Sequence, residues 1–122
     1  MSIDTSRNFV PLHIAVCTIS DTRTLENDTS GGFLCDILQQ KNHILQDRSI
    51  ICDDINQIVE QLETWISQDN IDVILCTGGT GLTDRDVTPE ALQKVVDKWI
   101  PGFGELFRYL SFQKIGPSTI QS

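Results

Sequence analysis

Apolar positions along the chain change spacing from segment to segment. His13 to Ser20, HIAVCTIS, is a short β-branched run and predicts a buried strand. The polar stretch DTRTLENDTSGG follows as a loop of about a dozen residues, longer than the 2–6 usual for a βα connection. Phe33, Leu34, Ile37 and Leu38 recur at helical spacing and predict a helix from about Gly31 to Lys41. Ile44 to Ile51 reads as a weaker second strand. Asp53 and Asp54 then open the clearest element, in which Ile55, Ile58, Val59, Leu62 and Ile66 form one apolar helical stripe. Asn56, Gln57, Glu60, Gln61 and Glu63 make its solvated face. IDVILCT, residues 71–77, has almost no polar interruption, as expected of a central parallel strand covered on both faces. Thr88 reads as a helix N-cap, with Pro89 at the first helical position and Glu90 favourable to the dipole. Leu92, Val95, Val96 and Trp99 give that helix its buried stripe, and Pro101-Gly102 stop it. Phe103, Leu106, Phe107 and Leu110 predict a fourth, shorter helix.

The order βαβαβα implies an α/β fold, a three-layer, mostly parallel sheet with helices on both faces and Rossmann-like winding. At 122 residues the chain, 1–122, amounts to a single domain. Its composition, 39% apolar and 21% charged, is that of a soluble globular protein, and no apolar run approaches the ~20 residues of a membrane span. The opening MSIDTSRNFVPLH lacks a signal-peptide layout, so a cytoplasmic location is expected. Nine Lys+Arg against 17 Asp+Glu give a net charge of −8, with the cations scattered singly, which argues against nucleic-acid binding. Cys17, Cys35, Cys52 and Cys76 show no zinc-ligand spacing and suit a reducing compartment.

In open α/β sheets ligands bind outside the carboxyl ends of the strands. Three such ends are polar here: Ser20-Asp21, Asp53-Asp54 and the loop starting at Gly78. Gly78-Gly79-Thr80-Gly81 has the composition of an anion-holding nest, though it is neither a P-loop nor the dinucleotide fingerprint, and a tight turn without ligand would use the same glycines. Asp86 follows five residues after Gly81 and would pair with Asp53 across adjacent strand ends. Two carboxylates beside a nest can hold Mg²⁺ bridging to a nucleotide's phosphates, the metal supplying the positive charge an acidic protein lacks. Taken singly, Asp86 also fits a solvated loop and Asp53 or Asp54 a helix cap. His13 and His43 have no catalytic partner at useful spacing and read as structural; Trp65 and Trp99 read as core or interface.

LCTGGTGLTDRDVTPE, residues 75–90, resembles the signature of the MoaB/MogA family of molybdenum cofactor biosynthesis proteins. The likeness continues in Ser20-Asp21, DTSG at 28–31, ICDD at 51–54, PGFGELFR at 101–108 and SFQKIGPSTIQS at 111–122. The N-terminal segment and the tail are nearer the MoaB branch. The resemblance implies Mg²⁺-dependent transfer of AMP from ATP to the terminal phosphate of molybdopterin, with release of pyrophosphate. It implies that Asp53 and Asp86 are catalytic and hold the metal, and that Gly78, Gly79, Thr80 and Gly81 cradle phosphate. Ser20, Asp21, Glu105, Ser111, Ser118, Thr119 and Ser122 would belong to the nucleotide or pterin side. It further implies a homotrimer or homohexamer, for which the surplus of Trp99, Phe103, Phe107, Tyr109 and Phe112 offers an interface.

Two departures stand out. Cys52 replaces a proline common in the family, and family members continue beyond the position of Ser122 with a further strand and helix. The alternative is a non-catalytic MoaB-like protein that binds pterin or nucleotide or serves assembly. Some MoaB proteins lack aspartates at the two acidic positions, whereas this chain keeps both. A phosphoacceptor receiver domain is disfavoured, because the third strand ends in Thr-Gly-Gly and no fifth-strand lysine exists.

Overall fold

The structure, a computed structural model, describes residues 3–121. Ser122 therefore lies outside the described residues. Strand β1 (His13–Ile19) leads to helix α1 (Thr29–Gln40), strand β2 (Ile44–Ile51), helix α2 (Ile55–Ile66), strand β3 (Val73–Thr77) and helix α3 (Thr88–Val95). Helix α4 (Pro101–Ile115) and a 3₁₀ turn, Gly116–Gln121, complete the described chain. The sheet is parallel in the order β2-β1-β3, so successive crossovers depart to opposite sides of β1.

Alternate residues of β1 point to opposite faces. Ala15, Cys17 and Ile19 pack with Ile58, Leu62 and Trp65 of α2 and Ala91 of α3. Ile14 and Val16 pack with Cys35 and Leu38 of α1 on the other face. This is the three-layer α/β arrangement the element order predicts. Each fully buried Ile58 or Leu62 side chain contributes about 1.5–3 kcal/mol. Trp65 is also core, its indole N–H donating to the Asp47 carboxylate at 2.9 Å. Between Ile14 and Ala15 the β1–β2 register slips by one residue: Leu45 faces Ile14 and Asp47 faces Ala15, with Gln46 left over. His43 accepts the Leu12 amide at 3.0 Å and His13 contacts Gln46, so both histidines are structural.

Several expectations from the sequence need correction. β1, not the apolar run 71–77, occupies the centre of the sheet; β3 lies at an edge and all five of its residues are half-buried. Thr88 is not the cap of α3 but sits inside its first turn, its hydroxyl drawn to the preceding loop. That helix ends at Val95, and the extended backbone of Val96 takes Trp99 off the stripe and into solvent. Pro101 starts the next helix instead of merely ending the last, because its fixed φ suits a first turn. The resulting α4 is 15 residues long and has no buried residue; it packs chiefly on the 3₁₀ turn. Among the described residues no helix is long and apolar enough to cross a membrane.

Candidate functional site

Three strand ends meet at one edge of the sheet, and hydrogen bonds tie them together. The Ser20 hydroxyl oxygen accepts from the amides of Thr22 and Arg23 at 3.2 and 3.1 Å, turning the chain sharply after β1. Asp21 next to it accepts the Asp53 amide at 2.9 Å on one carboxylate oxygen and forms an ion pair with Arg85 through the other. Asp54 caps α2 by accepting the Gln57 amide at 2.9 Å. That division of labour frees the half-buried Asp53 side chain to face the loop after β3.

Gly78 and Gly79 both have positive φ, 93° and 67°, a region that favours glycine because a Cβ crowds the backbone there. A Cβ at Gly78 would strike the carbonyl oxygen of Ile19, and one at Gly79 would strike the Thr88 hydroxyl and stand 3.1 Å from Asp53 Oδ1. Thr88, 2% exposed, holds the loop from behind: its hydroxyl donates to the Gly78 carbonyl at 2.7 Å and its amide to the Gly79 carbonyl at 3.1 Å. Thr80 is exposed.

Asp86 closes the loop's other end. Its carboxylate accepts the Thr83 hydroxyl at 2.6 Å and the Thr83 amide at 3.1 Å. These bonds, the Thr83 hydroxyl's first, hold the carboxyl below the usual carboxylate range. Asp86 Oδ2 lies 2.7 Å from where a Gly81 Cβ would stand. Asp53 and Asp86 thus flank glycines two residues apart, a span of about 7 Å at most. Among the described residues no group of three or more His, Cys, Asp or Glu side chains gathers as a metal cage. Two carboxylates suit Mg²⁺ instead, because that ion keeps several waters and completes its shell with substrate phosphates.

A polar cleft of about 160 Å³ opens between the ends of β1 and β3, bordered by Ser20, Arg23, Ser30, Thr77 and Gly78. Beneath it lies a buried network that sequence reasoning missed as a unit. Asp28, the N-cap of α1, accepts the Thr18 hydroxyl at 2.6 Å, the Gly31 amide at 3.0 Å and the Arg48 guanidinium at 3.2 Å. Burial pushes the Asp28 carboxyl up, but these three partners outweigh it and leave the group below its ordinary value. The signal was the lone hydroxyl of Thr18 in an apolar strand, and an Asp standing before Thr-Ser-Gly. Arg85 was also missed: its partner, Asp21, is remote in sequence.

The remaining sequence-predicted residues lie elsewhere. Glu105 and Ser111 are on α4, and Ser118 and Thr119 on the 3₁₀ turn, two elements that pack chiefly on each other. Glu105 is exposed and Thr119 donates weakly to the Arg108 carbonyl at 3.4 Å. The structure therefore gathers Ser20, Asp21, Asp53, Gly78, Gly79, Gly81 and Asp86, and shows no such gathering for the α4 set.

Residues 15–122 match the family described as "Probable molybdopterin binding domain". Molybdenum cofactor biosynthesis protein B of Escherichia coli K12 is 46% identical over 117 residues, covering 96% of this chain and 69% of that protein. A crystal structure of Molybdenum cofactor biosynthesis protein B superposes with a TM-score of 0.87 at 40% identity, over 93% of this chain and 71% of that one. The tungsten cofactor synthesizing protein MoaB from Pyrococcus furiosus superposes with a TM-score of 0.77 at 32% identity, over 90% of this chain and 68% of that one.

Proposed function

The chain belongs to the molybdopterin-binding family of molybdenum cofactor biosynthesis proteins, and from that membership we propose that it is a nucleotidyltransferase adenylylating molybdopterin. The terminal phosphate of the pterin attacks the α-phosphorus of ATP. A new P–O bond forms, the bond from the α-phosphorus to the bridging oxygen breaks, and its electron pair leaves with pyrophosphate. No protein nucleophile is required for this direct displacement.

One observation carries the reading: two carboxylates, Asp53 and Asp86, flank a glycine loop whose positive-φ residues let it pack tightly on Ile19 and Thr88 at the strand ends. Bound between them and the phosphates, Mg²⁺ would neutralise charge and polarise the α-phosphate. The protein's own contribution is positional. Thr88 fixes the glycine loop from behind, Asp21 fixes the Asp53 backbone, and Thr83 keeps Asp86 ionised and aimed. Holding the two phosphates in line under a fixed field is what a phosphoryl-transfer site must do. The test is formation of adenylyl-molybdopterin from molybdopterin, ATP and Mg²⁺. Product from the parent protein, lost on Asp86→Asn with the fold intact, supports the proposal; no product from either overturns it.

A second reading, a non-catalytic pterin- or nucleotide-binding or assembly protein, draws on α4. Phe103, Leu106, Phe107, Tyr109 and Phe112 are all more than half exposed there. A helix apolar on every side wants a covering surface, and a homotrimer or homohexamer would supply it. A cytoplasmic location belongs to the same proposal: Cys17 and Cys76 are register partners across β1 and β3 and both are free thiols, which suits a reducing compartment.

A further inference from the structure

The segments that build the strand-end site are acidic. Residues 49–56 and 78–90 carry Asp53, Asp54, Asp84, Asp86 and Glu90 with one cation between them, Arg85, and the β1 end adds Arg23 beside Asp21. Arg85 lies in the loop between Gly81 and Asp86, and its guanidinium is ion-paired with Asp21 at the end of β1. The same Asp21 carboxylate holds the Asp53 amide on its other oxygen, so Arg85 is joined through one side chain to both sides of the site. Yet the Arg85 side chain is 72% exposed and Asp21 32%. A pair so open to water is weakly held, and a guanidinium prefers the fork geometry of a phosphate when one is offered.

We propose that Arg85 is the phosphate-sensing residue of this site, parked on Asp21 when the site is empty and transferred to the polyphosphate of the incoming nucleotide when it fills. This rests on the adenylyltransferase reading and extends it to a residue not otherwise assigned a part. The exchange sets two opposed effects. Asp21 competes with the nucleotide for Arg85, so it restrains binding even while it positions the Asp53 backbone. Releasing Arg85 from Asp21 also frees the 81–86 loop from the end of β1, which lets Asp86 follow the phosphates.

The experiment is calorimetric titration of the full chain with magnesium–ATP and, separately, magnesium tripolyphosphate, which carries no base. Asp21→Asn keeps an oxygen acceptor for the Asp53 amide but removes the charge that holds Arg85; it should tighten binding of both probes, by about fivefold at most. Arg85→Gln should weaken both about tenfold, and Arg85→Lys should fall between. In the double variant the gain from Asp21→Asn should vanish, because nothing is left to release. Circular dichroism and melting curves identify any variant that has lost its fold. A gain from Asp21→Asn that persists without Arg85 means simple charge repulsion and overturns the proposal, as does unchanged binding by Arg85→Gln. Failure of the parent protein to bind either probe overturns the nucleotide reading itself, and the proposal with it.

Discussion

Thr18 and Asp28 meet in the interior, the threonine hydroxyl donating a 2.6 Å hydrogen bond to a carboxylate whose side chain is only 2% exposed. The bond ties the middle of the sheet to the first turn of α1, and Arg48 from β2 completes the tie at 3.2 Å. Thr18→Val would strand one carboxylate position and should cost about 1–3 kcal/mol in chemical denaturation. Asp28→Ala should cost more, about 2–4 kcal/mol, because it removes the α1 cap, strands the Thr18 hydroxyl and leaves the half-buried Arg48 charge without its partner.

The same carboxylate sets an acid limit. Its pKa in the fold lies below the ordinary value of ~3.9, so its stabilising contribution is complete above that value. The contribution is lost as the pH falls through the lowered folded value, where the native state must take up the proton last. Stability measured against pH should fall more gently in Asp28→Asn than in the parent over that acid range. Equal slopes would place the acid sensitivity in other groups.

Gly79→Ala should damage the site in two ways at once. Its backbone sits at φ 67°, and the added carbon would strike the Thr88 hydroxyl that holds the loop. A loss of about 1–3 kcal/mol in thermal or urea unfolding is expected, together with loss of nucleotide binding. Gly102→Ala is the control, since a Cβ there meets nothing within 4 Å; it should be neutral or slightly stabilising.

Asp53→Asn and Asp86→Asn should each lower adenylyl transfer by at least about a hundredfold while leaving the melting temperature nearly unchanged. Thr83→Val would remove the hydroxyl that holds the Asp86 carboxyl low, so that carboxyl rises toward its ordinary value. The acid limb of the pH–rate profile should then shift upward for Thr83→Val relative to the parent. An unmoved limb would show that Asp86 ionisation does not govern the rate.

The apolar surface of α4 gives a prediction about mass. Light scattering should report a trimer or hexamer for the parent chain, and Phe103→Glu combined with Phe107→Glu should reduce it to smaller species with the sheet intact. Those two rings stack with centroids 6.4 Å apart, so they form one patch. A monomer mass for the parent would remove the assembly reading.

How much of this was legible in the sequence depended on how local the cause was. The α2 stripe and the N-cap role open to Asp54 were readable, because a helix repeats its logic every turn. The strand-end placement of Asp53 and the glycine loop followed from element order alone. Thr88 was misread because a hydroxyl before Pro-Glu looks like a cap, and only the fold brings Gly78 within 2.7 Å of it. Pro101 was misread because proline marks helix starts and stops alike. Arg85 and the assembled Asp28 network were harder to read for a common reason: Asp21, Thr18 and Arg48 reach them from other elements of the fold.

The slip at Gln46 also explains why β2 looked weak on paper. Leu45 and Arg48 both face α1, three positions apart, whereas Asp47, Ser49 and Ile51 face α2. An unbroken strand could not satisfy both sets, since alternation has a period of two. Gln46 absorbs the mismatch in a bulge near the start of the strand, at the opposite end from Asp53. The consequence is one of phase: the extra residue at Gln46 resets which face each later side chain takes, so Arg48 reaches Asp28 while the strand still delivers Asp53 to its carboxyl end.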